Sequence, residues 1–306
     1  MFNALLLDQQ DGRIDASIQS LDESRLPQQS GDVLVRIDYS TLNYKDGLAI
    51  TGKVPVVRTF PMVPGIDFAG VVEENAHDAF KPGDKVVLNG WDAGETHWGG
   101  LAQKARVPGD HLIALPDAIT THQAMAIGNR GLYTAMLCAQ ALEKHGVTPD
   151  DGDVLVTGAN GGVGSFAVAI LAKHGFRVAA STGRPEEAAR LKALGAVDCV
   201  GSHTLANVCA SLRYGGAVAA CGLAQGMDFP ATVAPFILRA VTLLGVDSVY
   251  VPHARRVAAW RAIADEVPVA TIESVATTIP LAYAVDVTKR LLRGEVTGRV
   301  IVDVNA

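Results

Sequence analysis

Residues Val154 to Gly164 read VLVTGANGGVG: an apolar run suited to a buried parallel strand, then a break of glycines. The stretch that follows, Ser165 to His174, carries its apolar residues at helical spacing. A strand, a glycine turn and a helix in this order open a dinucleotide-binding unit. Gly158, Gly161 and Gly164 fall three residues apart. They can supply the tight turn, let backbone N–H groups approach a pyrophosphate, and allow close helix–strand contact. The helix N-terminus adds partial positive charge toward the phosphates. Glycines alone would be a weak signal, and the flanking strand and helix are what give it force.

The next strand, Arg177 to Ser181, ends where an NAD-binding unit places an Asp or Glu to accept from the ribose 2′-hydroxyl. Here the turn is Thr182, Gly183, Arg184. A hydroxyl and a guanidinium suit a 2′-phosphate that a carboxylate would repel, so the turn favours NADP over NAD. Otherwise Arg184 merely solvates the start of a helix at Pro185, where a cation opposes the helix dipole.

At 306 residues the chain has room for two domains with substantial cores. A net charge of −6 and a pI near 5.7, with no cluster of Lys and Arg, argue against nucleic acid as the main partner. The start, MFNALLLDQQDG, has no basic leader or small-residue cleavage site and reads as a first strand. No stretch approaches the roughly 20 apolar residues of a membrane span. A cytoplasmic protein is expected. Cys138, Cys199, Cys209 and Cys221 show no C-x-x-C spacing, so they read as small buried hydrophobes rather than zinc ligands.

From Met1 to about Met125 short strands, among them Val33 to Tyr39 and Lys85 to Leu88, alternate with turns such as Lys81-Pro82-Gly83-Asp84. This predicts a compact all-β unit. Leu42 to Gly47 (LNYKDG) places polar and aromatic side chains directly after a strand. Asp67 lies within the apolar PMVPGIDFAG and must have a partner, either as a structural hydrogen-bond hub, the favoured reading, or as a site residue. The loop Gly90 to Gly100, GWDAGETHWGG, either walls a pocket or is a surface loop pinned by Trp91 and Trp98. Helices are predicted over Gly131 to Lys144, Pro185 to Leu194, Thr204 to Leu212, Ala254 to Asp265 and Ala282 to Arg293. Strands are predicted over Val197 to Val200, Ala217 to Cys221, Val241 to Val246 and Arg299 to Val304. A chain that is β, then alternating α/β, then briefly β again suggests one domain inserted in another, here 1–125 and 266–306 around 126–265.

The segments LDESRLP, LNYKDGLAITGK, FPMVPGIDFAG, GWDAGETHWGGLA, VTGANGGVG, AACGLA, PFILR and GVDS together resemble the medium-chain dehydrogenase/reductase superfamily, more narrowly its acryloyl-CoA reductase branch. The resemblance implies an α/β protein with a β-rich GroES-like catalytic domain and an inserted Rossmann domain. Zinc-dependent relatives have Cys at Asn43 and His-Glu at Ile66-Asp67, and a four-cysteine lobe that is missing here, so no metal is expected. The resemblance assigns NADPH contacts to Tyr44, to Gly161, Gly162, Val163 and Gly164, to Thr182, Gly183 and Arg184, and to Leu223, Ile237, Ser248 and Asn305. Relatives read approximately IGTAGFTAM where this chain has Ile127 to Met136, IGNRGLYTAM, so a cofactor-side threonine is replaced and Arg130 appears.

The implied reaction is hydride transfer from NADPH to acryloyl-CoA or a similar short 2-enoyl thioester. Asn43, Tyr44 and the cofactor ribose are the candidate catalytic hydrogen-bond donors to the thioester oxygen, and Tyr44 is also the candidate proton donor, its phenol then needing help from Lys45 or the cofactor. A quinone or enone oxidoreductase and a non-catalytic NADPH-binding protein are the alternatives. Lys53, Arg58 or Arg130 are candidates for the charged acyl-CoA tail. A homodimer paired through the apolar edge strand Val241 to Val246 is expected, because joining two edges covers both.

One strand is missing from the count. A Rossmann sheet of order 3-2-1-4-5-6 needs six, and the opening strand is followed by only four. Its second and fourth strands flank the first, about 9.6 Å apart, and two residues between a helix ending at Leu194 and a strand beginning at Val197 reach only about 7 Å. The favoured expectation is a segment omitted from the sequence, with a break near Ala196. The alternative is a sheet that has lost an edge strand.

Overall fold

The computed structural model describes residues 1–28, 31–182, 195–274, 276–296 and 298–306. Gly183, Arg184 and the helix expected over Pro185 to Leu194 lie outside the described residues. The chain divides into two units, Met1–Asn129 with Val249–Ala306, and Arg130–Ser248.

The first unit opens with the hairpin β1 (Phe2–Gln10) and β2 (Arg13–Leu21), in register from Phe2 with Leu21 to Gln10 with Arg13. Strand β3 (Val33–Leu42) follows, then helix α1 (Tyr44–Thr51), β4 (Asp67–Asn75), β5 (Lys85–Asn89), β6 (Lys104–Val107), β7 (Leu112–Ala114) and α2 (Thr121–Ile127). The unit is therefore not all-β as expected. The LNYKDG segment is the start of α1, because Asn43 caps it and the Asp46 carboxylate accepts the Asn43 N–H at 2.8 Å. α2 begins with a Thr120/Gln123 capping box.

In the second unit the helix expected from Gly131 begins at Thr134, since Arg130 (ψ 40°) and Gly131 (ψ −123°) depart from helical backbone. The order is α3 (Thr134–Lys144), β8 (Asp153–Thr157), α4 (Gly162–Lys173), β9 (Arg177–Ser181), β10 (Gly195–Asp198), α5 (Ser202–Ser211), β11 (Ala217–Ala220), α6 (Ala234–Arg239) and β12 (Thr242–Gly245). The sheet is parallel, in the order β12-β11-β10-β8-β9. Val154, Leu155 and Val156 of β8 are buried, as expected of a strand covered on both faces.

No chain break is found at Ala196, where one was expected. Ala196 sits inside a continuous strand, in register with Leu155 on one side and Val218 on the other. Strand β10 starts at Gly195, and residues 183–194 join it to β9. Among the described residues the sheet has five strands and β9 lies at one edge.

The chain returns to the first unit at Val249, not at 266, through α7 (His253–Glu266) and α8 (Val269–Glu273), then β13 (Ala276–Pro280), α9 (Ala284–Leu292) and β14 (Arg299–Asp303). The reason α7 belongs here is Arg256. Fully buried, it donates Nη1 to the Asn89 carbonyl at 2.6 Å, Nε to the Val251 carbonyl at 3.1 Å and Nη2 to the Val249 carbonyl, with its guanidinium 4.8 Å from the Trp91 ring. The charged hydrogen bond to Asn89 ties the helix to the end of β5, and those to Val249 and Val251 fix the segment that leads into it. The main sheet runs β13-β14-β3-β4-β5-β7, with β6 on β3, over a core that includes Val35, Ile37, Phe68, Leu88 and Val302.

Candidate active site

In the second unit the glycine turn is as tight as its spacing predicts. Gly161 caps α4, and Gly164 packs so closely on the turn that a Cβ there would lie 2.3 Å from the Gly158 carbonyl oxygen. The first N–H groups of α4 and the Gly161–Gly164 backbone border a cavity of about 500 Å³, together with Thr182, Arg130, Cys199 and Val200. Val200 on its lining is held by Asp198, which is buried. It accepts the Thr157 hydroxyl at 2.7 Å and the N–H groups of Gly201 at 2.7 Å and Val200 at 3.3 Å, and burial pushes its carboxyl up. Leu223 and Ile237 are exposed and Ser248 is buried; none of the three lines this cavity, although Ala224, next to Leu223, does.

In the first unit Tyr44 is the first residue of α1, with its side chain 61% exposed. Lys45 beside it is paired with Glu95 of the Gly90 to Gly100 loop, so the help expected from it for the Tyr44 phenol is already committed. Trp91 of that loop stacks on His111 at 4.5 Å, and the Trp98 indole donates to the Pro61 carbonyl at 3.1 Å. Asn305 is held by its own unit: its amide donates to the Ile37 and Asp38 carbonyls at 3.1 and 3.3 Å.

Asn43 is not the free donor that the sequence suggests. It is 3% exposed and both ends of its carboxamide are spent. Nδ2 is within hydrogen-bond distance of Thr41 Oγ1 (2.9 Å), Asp46 Oδ2 (3.1 Å) and Asp67 Oδ2 (3.1 Å), while Oδ1 accepts from Arg299 Nη1 at 3.0 Å. Asp67 is the hub of this network. It also accepts the Asn129 N–H at 3.1 Å and the Asn89 amide at 3.1 Å, and it lies 3.9 Å from Arg299 Nη2. Asp46 accepts the Ile66 N–H at 3.0 Å, and burial pushes its carboxyl up to about 6. Sequence reasoning missed Arg299, whose one visible signal is a basic residue opening an apolar strand, RVIVDV. Where zinc-dependent relatives place metal ligands, this chain has an amide and a carboxylate neutralised by a guanidinium. Among the described residues no cluster of three or more His, Cys, Asp or Glu is arranged to hold a metal. No helix among them is long and apolar enough to cross a membrane.

A β-rich unit interrupted in sequence by a parallel glycine-turn unit is the plan of the medium-chain dehydrogenases and reductases, and the alcohol dehydrogenase GroES-like domain matches residues 29–117. Acrylyl-CoA reductase AcuI of Ruegeria pomeroyi is 49% identical over 333 aligned positions, with full coverage of both chains. That alignment exceeds this chain's 306 residues by 27, so at least that many positions have no counterpart here. The crystal structure of the YhdH oxidoreductase of Salmonella enterica in complex with NADP matches with a TM-score of 0.93 at 48% identity, over 99% of this chain and 100% of that one. Bacillus subtilis YhfP, crystallised with NAD bound, matches with a TM-score of 0.92 at 38% identity over 99% of each chain. The chain belongs to the acrylyl-CoA reductase family of medium-chain dehydrogenases/reductases.

Proposed function

We propose that the protein catalyses the NADPH-dependent reduction of the 2,3 double bond of acryloyl-CoA, or a similar short 2-enoyl-CoA, to the saturated acyl-CoA. The observation that carries this is the 49% identity to the AcuI reductase over the whole of both chains. The residues present fit the cofactor. The first turn of α4, from Gly162 to Gly164, offers backbone N–H groups to a pyrophosphate, and Thr182 lies on the same cavity. When bound, NADPH supplies the hydride for the β-carbon.

This chain's task is to stabilise the negative charge that develops on the thioester oxygen and to deliver a proton to the α-carbon. Tyr44 is the proposed donor: its phenol is exposed, at the positive end of α1. Asn43 acts behind it, as the residue that sets the start of the helix. Gly183 and Arg184 are proposed, from sequence, to hold the 2′-phosphate with Thr182, and Leu223, Ile237, Ser248 and Asn305 are proposed as further cofactor contacts. Charge-assisted hydrogen bonds of the Arg184 type are worth about 1.5 to 3 kcal/mol, or roughly one to two orders of magnitude in affinity. Arg184→Ala should therefore erase a preference for NADPH over NADH measured by titration.

The protein is proposed to work in the cytoplasm as a homodimer joined through β12. That strand lies at an edge of its sheet, Leu243 on it is exposed, and Ile237 and Leu238 of α6 are exposed as well. The decisive assay follows NADPH oxidation with acryloyl-CoA and, separately, with a benzoquinone. Faster turnover with the thioester is expected; turnover with the quinone alone would make it a quinone reductase, and none with either a cofactor-binding protein.

A further inference from the structure

We infer that Arg299 is a positioning residue for the reduction: it holds the Asn43 carboxamide in one orientation and thereby fixes the first turn of α1, which presents Tyr44. The inference rests on the role proposed above for Tyr44.

Side chains from four elements, β3, α1, β4 and β14, meet at one amide. The guanidinium of Arg299, on β14, gives Nη1 to Asn43 Oδ1 at 3.0 Å and Nη2 to Thr41 Oγ1 at 3.3 Å. Asp67, on β4, and Asp46, on α1, take the opposite end of the same amide. A cation on the oxygen side and carboxylates on the nitrogen side permit only this orientation. Rotated by half a turn, the amide would set its N–H groups against the guanidinium and its oxygen against two carboxylates. Asn43 is the cap of α1 and Tyr44 its next residue, so a fixed Asn43 is a fixed starting point for Tyr44.

The backbone is built around the guanidinium. Gly128, where α2 ends, has φ +53°, and a Cβ there would lie 1.8 Å from Arg299 Nη2 and 2.6 Å from Cζ. A side chain at 128 would thus displace Arg299 directly. The next residue, Asn129, gives its N–H to Asp67. Stability alone does not account for the arrangement. Arg299 is 5% exposed and, among the described residues, its Nε is buried without a partner, as is Asn89 Oδ1. Apolar residues of similar volume commonly stabilise a core as well as, or better than, a buried ion pair, so an incompletely satisfied one points to geometry as its use. The proposal assigns that geometry to the catalytic face of α1.

The test measures kcat and KM for acryloyl-CoA, NADPH affinity and thermal midpoint in wild type, Arg299→Lys and Arg299→Ala. Lysine keeps the charge but has no fork to reach Asn43 and Thr41 together. Arg299→Lys is expected to fold and to bind NADPH within twofold of wild type, with kcat at least tenfold lower and KM within threefold. Methylguanidinium added to Arg299→Ala is expected to restore part of the lost kcat with no more rise in the midpoint than its own binding to the folded state gives, a response that a merely structural residue would not give. Should the single variants fail to fold, Arg299→Met with Asp67→Asn removes both charges, and a folded double variant with depressed kcat supports the proposal. Wild-type kcat in either folded lysine or double variant overturns it, as does a loss of kcat that only tracks NADPH binding or the midpoint. A wild-type enzyme that leaves acryloyl-CoA unreduced overturns instead the reaction proposed above, so the two failures are distinguishable.

Discussion

At the scale of single residues, the glycine turn carries a steric demand that can be tested. A methyl at Gly164 would meet the Gly158 carbonyl oxygen at 2.3 Å and the Ala159 Cα at 2.8 Å, both backbone atoms without a rotamer to escape into. Gly164→Ala should therefore cost about 1 to 3 kcal/mol in a denaturant titration and weaken NADPH binding, because α4 must lift off the turn. Stability equal to wild type would mean that the turn relaxes freely. Tyr44 is the converse case. Its side chain is 61% exposed, so Tyr44→Phe should leave the thermal midpoint within a degree or two while lowering kcat for acryloyl-CoA by roughly ten to a hundredfold. Unchanged steady-state kinetics would remove Tyr44 from the mechanism. Glycine spacing was legible in the sequence because a tight turn leaves few residues to choose from. The commitment of Asn43 was not, since its partner Arg299 lies 256 positions away.

At the scale of elements, α1 is held by a carboxylate whose ionisation opposes its burial. Asp46 is 1% exposed, and burial pushes its carboxyl from 3.8 up to about 6, against the lowering effect of the Asn43 and Ile66 hydrogen bonds. The folded state thus binds this proton more tightly than the unfolded chain does. Its contribution to stability is fully present below about pH 3.8 and is lost as pH rises through about 6, a loss of roughly 3 kcal/mol at about 1.4 kcal/mol per unit. Asp46→Asn has no such proton to lose. The midpoint difference between wild type and this variant should move in the variant's favour between pH 5 and pH 7. A constant difference would show that Asp46 titrates at its ordinary value. The same element explains why α1 escaped sequence analysis: its eight residues, YKDGLAIT, include a glycine and follow a strand without a break.

For the whole molecule, the expected oligomer follows from an edge. β12 ends the parallel sheet, and Leu243 on it is 37% exposed, with Ile237 and Leu238 of α6 above 70%. A dimeric mass is expected by light scattering at micromolar concentration, and Leu243→Lys should shift it toward the monomer by burying a charge against its own copy. A monomeric wild type would rule out this interface. The opposite edge is held by β9 among the described residues, in place of the third strand that a six-stranded sheet would put there.

The sequence by itself determined the class of fold, the position of the glycine turn and the kinship with acrylyl-CoA reductases. These reside in local patterns: apolar runs, glycine spacing and short motifs, each readable within about ten residues. Only the tertiary structure decided that α7 returns to the β-rich unit, that Lys45 is bound to Glu95, and that Asn43 is held between Arg299 and two carboxylates. Each of these depends on a buried or half-buried charge finding its partner across the chain. Burial, rather than sequence proximity, decides which partner a charge must have.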